Sequence, residues 1–168
     1  MAACQSDTYH IKGEARELAD GTVLYLTEGI GSQRVVDSVV VGNGRFSYEG
    51  TTAGEPPLRA LRPAGQQQES LYFFAEPGNI YVELSPHEGC SRVSGTKVNN
   101  EWQALCDTVA KYDREIRHLF DTDSLQPRNT YAVTERLYTT LSRRISDAAR
   151  RNSSNALGRF ISSHYSPK

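Results

Sequence analysis

Polar and apolar residues alternate in short segments from Tyr9 to about Val93, and turn residues separate these segments. Alternation with a period of two is typical of half-buried β-strands. Seven or eight such segments follow one another at short spacing, with no helical pattern between them. The dipeptide Asp20-Gly21 predicts a two-residue hairpin between two of them. The pattern therefore predicts an antiparallel β-sandwich or barrel in this half of the chain.

A second hairpin is predicted at Asn43-Gly44, because both residues accept the positive φ angles of a type I′ turn. In that register Val41 faces Phe46 and Val39 faces Tyr48, so that bulky apolar pairs share one face. A phosphate-binding loop is not indicated, since neither a lysine nor a helical pattern follows the glycines of this stretch. We therefore interpret these glycines as structural.

After Gly95 the period changes to that of amphipathic helices. Two apolar stripes appear, one formed by Trp102, Leu105, Val109, Tyr112, Ile116 and Leu119, the other by Val133, Leu137, Leu141, Ile145 and Ala148. A short polar break separates them, so the two helices should pack antiparallel. The stretch Ser153-Ser154-Asn155 is predicted to cap a short third helix. Trp102, at the head of the first stripe, is predicted to dock its helix onto the sandwich.

The predicted fold class is α+β. An N-terminal antiparallel β-sandwich or barrel of seven to eight strands occupies residues 7–96. A helical hairpin with a short third helix follows in residues 97–165. With 168 residues, 38% of them hydrophobic, the chain can bury one good core. Its net charge of −1 creates no bulk field that would attract nucleic acid or an acidic membrane surface.

Cysteine usage is sparse, with Cys4, Cys90 and Cys106 far apart and no C-x-x-C pair. These three residues form neither a zinc framework nor a disulfide scaffold. The junction Ala2-Ala3-Cys4, followed by polar residues, is typical of the end of a lipoprotein processing box, and Cys4 is therefore a candidate for lipidation. Two other interpretations stay open: an incidental cysteine in a frayed terminus, or a disulfide from Cys4 to Cys90 or Cys106.

The remaining polar motifs indicate no catalysis. A nucleophile elbow is absent from the sequence, and the histidines are scattered at positions His10, His87, His118 and His164. The pair Glu115 and His118 has the spacing of one half of a carboxylate di-iron site, but a second such pair is missing. The stretch from Asp121 to Ser124 begins like a calcium loop and lacks its central glycine and closing glutamate. We expect no catalytic residue, no cofactor and no metal.

Five short motifs occur in a definite order. They are Tyr9-x-Ile11-x-Gly13, Asp20-Gly21, Asp37-Ser38 leading to Gly44-x-Phe46, Glu76-x-Gly78-x-Ile80, and Gly95-Thr96-x-x-Asn99. This succession, over about residues 8–102, resembles the N-terminal domain of unknown function found in envelope proteins of Gram-negative anaerobes. In that family the domain commonly precedes a thioredoxin-like thiol:disulfide interchange domain, and a lipoprotein signal often precedes it.

The resemblance implies a non-catalytic accessory module of a cell-envelope lipoprotein. The redox chemistry of such proteins belongs to a C-x-x-C in the thioredoxin-like domain, and these 168 residues contain none. The implied location is the periplasm-facing cell envelope or the outer membrane, with membrane attachment only through a lipid on Cys4. The implied partners are a thioredoxin-like domain or another envelope protein, without nucleic acid, and no oligomeric state follows.

A ligand-binding module, for instance for a glycan, is the second interpretation. It depends on the tyrosines of the predicted strands, which are Tyr9, Tyr25, Tyr48, Tyr72 and Tyr81. If several of these rings lined one open face, they would form a stacking platform; if they were buried, they would belong to the core. A hydrolase or metalloenzyme is a third class, and it would need a cleft with convergent polar groups.

Overall fold

The computed structural model describes residues 7–32, 34–66, 71–87, 89–122 and 127–165. Its strands are β1 (Thr8–Glu14), β2 (Val23–Glu28), β3 (Val35–Val40), β4 (Arg45–Thr51), β5 (Leu58–Pro63), β6 (Leu71–Phe74), β7 (Gly78–Glu83) and β8 (Arg92–Ser94). Its helices are α1 (Lys97–Thr122), α2 (Pro127–Arg151) and α3 (Ala156–His164). The predicted α+β class, with strands first and helices after them, is confirmed.

The chain divides into two compact units, Met1–Gln103 and Ala104–Lys168. In the first unit, the described strands form two four-stranded sheets with the orders β4-β1-β7-β8 and β3-β2-β5-β6. Neighbouring strands run antiparallel except β1 and β7, which are parallel. The structure is thus a sandwich and not a closed barrel. A parallel pair needs a long crossover connection, which the chain from β2 to β6 supplies between β1 and β7.

The core of this unit lies between the inner faces of the two sheets. Along β1, buried residues alternate with exposed polar ones, as the period of two predicts. Tyr9 of β1 and Phe73 of β6 belong to different sheets, and their ring centroids are 6.5 Å apart. The largest fully buried side chains here are Phe73, Phe74, Ile11, Leu24, Leu26, Leu61 and Ile80.

The turn at Asn43-Gly44 forms as predicted, but the hairpin does not. Asn43 has a φ of 53° and Gly44 a φ of 67°. Gly42 and Arg45 exchange two N–H···O bonds of 2.8 and 3.1 Å, and the ladder ends at that pair. After it, β3 and β4 belong to different sheets. The turn is therefore a corner at which the chain crosses the sandwich.

The predicted pairs Val41–Phe46 and Val39–Tyr48 are consequently wrong. Val39 pairs with a residue of β2, and both Phe46 and Tyr48 pair with residues of β1. The physical reason is that an apolar face is satisfied equally by a partner in a hairpin and by a partner in another strand. Hydrophobic pattern alone does not choose between them.

The prediction of a hairpin at Asp20-Gly21 is also wrong. The strands on either side of this turn, β1 and β2, belong to different sheets and do not pair with each other. Gly21 does take a positive φ, of 85°. Its N–H donates to the carbonyl of Val41 at 2.8 Å. The predicted turn therefore exists, and it too carries the chain from one sheet to the other.

The second unit contains the rest of α1 and the other two helices. Leu105, Ile116, Leu141 and Ala148 of the two predicted stripes are buried. Val133 is 39% exposed, and Thr134 is buried in its place. The predicted stripe included Val133 instead of Thr134, because a hydrophobicity pattern counts threonine as polar although its side chain also carries a methyl group.

The predicted cap of the third helix is observed, and the predicted break between the first two helices is described only at its two ends. The rings of Phe120 in α1 and Tyr131 in α2 lie 6.2 Å apart, edge to face, on either side of the connection. The connection itself, residues 123–126, is outside the described residues. Within the predicted capping stretch Ser153-Ser154-Asn155, the residue that caps α3 is Asn155, since its side chain accepts a hydrogen bond from the Gly158 N–H at 3.2 Å. None of the described helices has the length and apolarity that a membrane span requires.

Candidate functional site

The residues that carried the family resemblance meet one another in pairs. Gly13 faces Phe46 in the register of β1 with β4, and a side chain on Gly13 would overlap the Phe46 ring. In the same ladder Tyr9 faces Gly50, where a side chain would overlap the Tyr9 ring. Each glycine therefore makes room for an aromatic ring of the neighbouring strand, and two motifs distant in sequence interlock.

The two corners of the sandwich are also joined to each other. The Asp20 carboxylate accepts a hydrogen bond from the Gly44 N–H at 3.2 Å. The carbonyl of Gly44 accepts one from the Ala15 N–H at 2.8 Å. The turn around Asp20 and the turn around Gly44 thus hold each other in place. This carboxylate oxygen of Asp20 therefore has a partner within the protein.

The start of α1 is bound to the edge of the sandwich by side chains of two further motifs. Asn99 is fully buried, and its side chain accepts from the Phe74 N–H and donates to the Phe74 carbonyl, both at 2.8 Å. Its amide also donates to Thr96 Oγ1 at 2.8 Å. An asparagine side chain here replaces the strand that would otherwise pair with this residue of β6.

Glu76 reaches the same helix end from the turn before β7. Its carboxylate accepts a hydrogen bond from the Val98 N–H at 2.9 Å. The first turn of α1 has no acidic residue of its own. Glu76 therefore satisfies one of the four free N–H groups and supplies the negative charge that favours a helix N-terminus.

Trp102 lies where the sequence predicts it. Its side chain is 7% exposed, its indole N–H donates to the Tyr72 carbonyl at 2.9 Å, and its ring lies 5.9 Å from Phe74, edge to face. Gln103 accepts a hydrogen bond from the Val93 N–H of β8 at 2.8 Å. The beginning of α1 therefore bonds to the end strands of both sheets.

A second pair of residues bridges the opposite side of the sandwich, where β3 and β4 are the end strands. The Tyr48 hydroxyl donates to Asp37 Oδ2 at 3.1 Å. Burial, the neighbouring Tyr9 and the hydrogen bond to Asp37 raise the pKa of Tyr48 well above its usual value. Burial raises the pKa of Tyr9 as well. Sequence reasoning missed this bridge, since only the Asp-Ser dipeptide inside an apolar strand signals it.

The strand tyrosines do not form a platform. Tyr9 is 4% exposed, and Tyr25, Tyr48 and Tyr72 are half-buried. Tyr81 alone of these five is exposed, at 48%. Most of these rings therefore lie in or beside the core, and they do not form the open stacking surface that the ligand-binding interpretation requires.

An open groove of about 790 Å³ lies between the first sheet and β3 of the second, with Val39 and Val40 in its lining. Its lining includes Lys12, Glu14, Arg45 and Glu83, with the exposed ring of Tyr81 among them. The lining carries charges of both signs, with Glu14 in register with Arg45 on one side and with Glu83 on the other, and the described lining holds neither histidine nor cysteine. The groove therefore offers a contact surface with charges of both signs.

The thiols and histidines do not assemble into a redox or metal centre among the described residues. Neither Cys90 nor Cys106 forms a disulfide within the described residues, and Cys90 is exposed in the loop after β7. His87 contacts Glu17 at 3.4 Å on the surface. No group of three or more potential ligands among the described side chains could hold a metal ion. Cys4, the lipidation candidate, lies outside the described residues.

The two acidic motifs that the sequence analysis considered as metal sites lie on the surface, as far as the structure describes them. Glu115 and His118 lie on α1 and are both exposed. Glu115 is 3.9 Å from Lys111 one turn earlier. Asp121 lies near the end of α1, and Ser124 lies outside the described residues.

A family model described as a domain of unknown function (DUF4369) matches residues 9–102. The match covers more than half of the chain and nearly all of the described first unit. None of the curated proteins matches the chain significantly.

Proposed function

This chain belongs to the DUF4369 family, and from that premise we propose that it is a non-catalytic accessory module of a cell-envelope lipoprotein. The proposal rests on one observation, which is that the motif residues of this family build the scaffold of the domain. They form the interlocked aromatic and glycine pairs, the joined corners and the bonded start of α1.

Three polar side chains of these motifs bind backbone groups within the protein. Asp20 binds a backbone N–H of the facing turn, Glu76 binds the N-terminus of α1, and Asn99 binds both backbone groups of Phe74. Catalytic groups must instead converge on a space where a substrate can sit. Motif residues that build a scaffold support a role in which the domain holds or presents something else.

The proposed anchor is a lipid on Cys4. Strand β1 begins at Thr8, four residues later, and so short a link reaches at most about 14 Å. A lipidated Cys4 would therefore keep the sandwich at the membrane surface. More than one acyl chain gives stable attachment, since each buried methylene contributes about 0.8 kcal/mol.

The proposed partner is a thioredoxin-like domain or another envelope protein. The groove between the first sheet and β3 supports a protein partner, because it is open and lined by charges of both signs beside Tyr81. Surfaces of this kind fit the polar rim and aromatic contacts of protein interfaces. A glycan platform gains no support, since four of the five strand tyrosines are buried or half-buried.

Reduction of insulin by dithiothreitol tests the non-catalytic role. We expect the chain to leave the uncatalysed rate unchanged, because no cysteine pair in the sequence has the spacing for attack and release by neighbouring thiols. The control is a variant with Cys90→Ser and Cys106→Ser, expected to behave in the same way. Catalysis by the parent chain that this variant loses would contradict the proposal.

A further inference from the structure

Positive charge is concentrated on helix α2. Its 25 residues contain six arginines, no lysine and two acidic residues, Glu135 and Asp147, so the helix carries a net charge of +4. The first unit, Met1–Gln103, has 8 basic and 13 acidic residues, and the second unit, Ala104–Lys168, has 11 basic and 7 acidic ones. The net charge of −1 therefore combines a negative first unit with a positive second unit, and α2 supplies the positive excess.

Three of these arginines form a stripe along the helix. Arg136, Arg143 and Arg150 follow one another at intervals of seven residues, which is close to two helical turns, and all three are exposed. Each comes two positions after a buried residue of α2, and these buried residues are Thr134, Leu141 and Ala148. Two positions along a helix are about 200° apart around its axis, so this arginine stripe lies opposite the buried face of α2. It is about 21 Å long.

Most guanidinium groups on this side of α2 are not neutralised within the protein. Arg150 forms an ion pair with Asp147 of the same helix. No carboxylate among the described side chains forms an ion pair with Arg136 or Arg143, or with Arg144 beside the stripe. An arginine keeps its charge at every physiological pH, and its planar fork binds two phosphate oxygens at once. The stripe therefore presents a straight row of cations suited to phosphate groups.

We propose that the arginine stripe lies on a membrane surface that contains anionic phospholipids, with the axis of α2 parallel to that surface. A row of cations on one side of a helix is complementary to a plane of lipid phosphates, and each arginine near such a surface adds to the attraction. The contact is peripheral, because the apolar side of α2 is buried within the protein. It is a second membrane contact, additional to the proposed lipid.

The choice of a membrane over a free polyanion rests on the proposed function. A chain held at the bilayer through Cys4 meets lipid phosphates at a high effective concentration, so even a weak electrostatic contact is occupied. The negative first unit is repelled by the same surface, so the attraction is confined to the second unit.

Co-sedimentation with lipid vesicles tests the proposal on the full chain with Cys4→Ser, which carries no lipid. We expect binding to vesicles of phosphatidylcholine with about one third phosphatidylglycerol, and none to vesicles of phosphatidylcholine alone. Binding should be lost in about 1 M salt, where the Debye length falls to about 3 Å. Because Cys4 is replaced, this result does not depend on lipidation, and the stripe and the anchor are tested separately.

A pair of double variants tests the position of the contact. Arg136→Gln with Arg143→Gln should weaken binding to the anionic vesicles by about tenfold or more, because two charges leave the surface. The matched control, Arg16→Gln with Arg34→Gln, removes the same charge from exposed arginines of the first unit and should alter binding by less than about twofold. Exposed substitutions of this kind leave the fold intact, which the melting temperature checks.

Three results would overturn the proposal. One is an equal loss of binding in the two double variants, and another is equal binding to the anionic and the phosphatidylcholine vesicles. The third is binding to a single-stranded oligonucleotide without binding to the anionic vesicles, which would identify the partner of the stripe as a free polyanion.

Discussion

The ring of Phe46 in β4 lies over Gly13 in β1 and fills the space that a side chain on Gly13 would take. Gly13→Ala should therefore destabilise the chain by about 1–3 kcal/mol, because the ring must move within a packed core. Urea unfolding measures the change. Gly42→Ala is the matched control, since a side chain there has open space and should alter the free energy of unfolding little.

A double variant sharpens this prediction. Phe46→Leu in the Gly13→Ala background removes most of the overlap, so the two changes together should be less destabilising than the sum of the single changes. Additive effects would show that the two residues do not interact as the structure has them.

Asn99→Asp tests the bond between α1 and the sandwich. The carboxylate keeps the acceptor for the Phe74 N–H but loses the amide donor to the Phe74 carbonyl. A buried charge that faces a carbonyl should destabilise the chain by about 3 kcal/mol or more. Asn100→Ala removes the exposed acceptor of the Gly95 N–H next door and should alter stability by less than about 1 kcal/mol. Similar losses for both would count against a clamp at Asn99.

Trp102 offers a test with its own optical signal, as it is the only tryptophan of the chain. Trp102→Ala should destabilise the chain by about 3 kcal/mol or more, as for other buried large-to-small changes. Trp102→Phe retains a ring against Phe74 but loses the hydrogen bond to Tyr72, and should be intermediate. An unchanged melting temperature for Trp102→Ala would show that the side chain is not buried.

Stability should fall at alkaline pH. Burial raises the pKa values of Tyr9 and Tyr48, so the fold favours their neutral phenols. This contribution is fully present below about pH 10, the usual tyrosine pKa, and is lost as the pH rises from there through the raised values. Tyr48→Phe should flatten the decline in the free energy of unfolding above pH 10, whereas Tyr81→Phe, at an exposed position, serves as control. Equal slopes in both variants would contradict the prediction.

Local pattern predicts the elements of this chain well, because strand alternation and helical stripes report which faces are buried. The turn at Asn43-Gly44 was also predictable, since positive φ angles depend on the two residues themselves. The strand that follows a turn can join either sheet, and turn chemistry is the same in both cases. That is why the pairing of Phe46 with Val41 was wrong and its pairing with Gly13 was missed.

The candidate site was less predictable for a related reason. Asn99 and Glu76 appear in the sequence as polar residues near turns, and their partners lie 25 and 22 residues away. A single sequence shows neither contact. The bridge from Tyr48 to Asp37 was hidden in the same way, because it joins two sheets across a corner.

Mass spectrometry of the N-terminal peptide from the native envelope decides whether Cys4 anchors this domain to a membrane. We expect the mature protein to begin at Cys4 and this residue to carry lipid. An unmodified Cys4 with further residues before it, or a disulfide from Cys4 to Cys90 or Cys106, would contradict the claim that this domain belongs to an envelope lipoprotein.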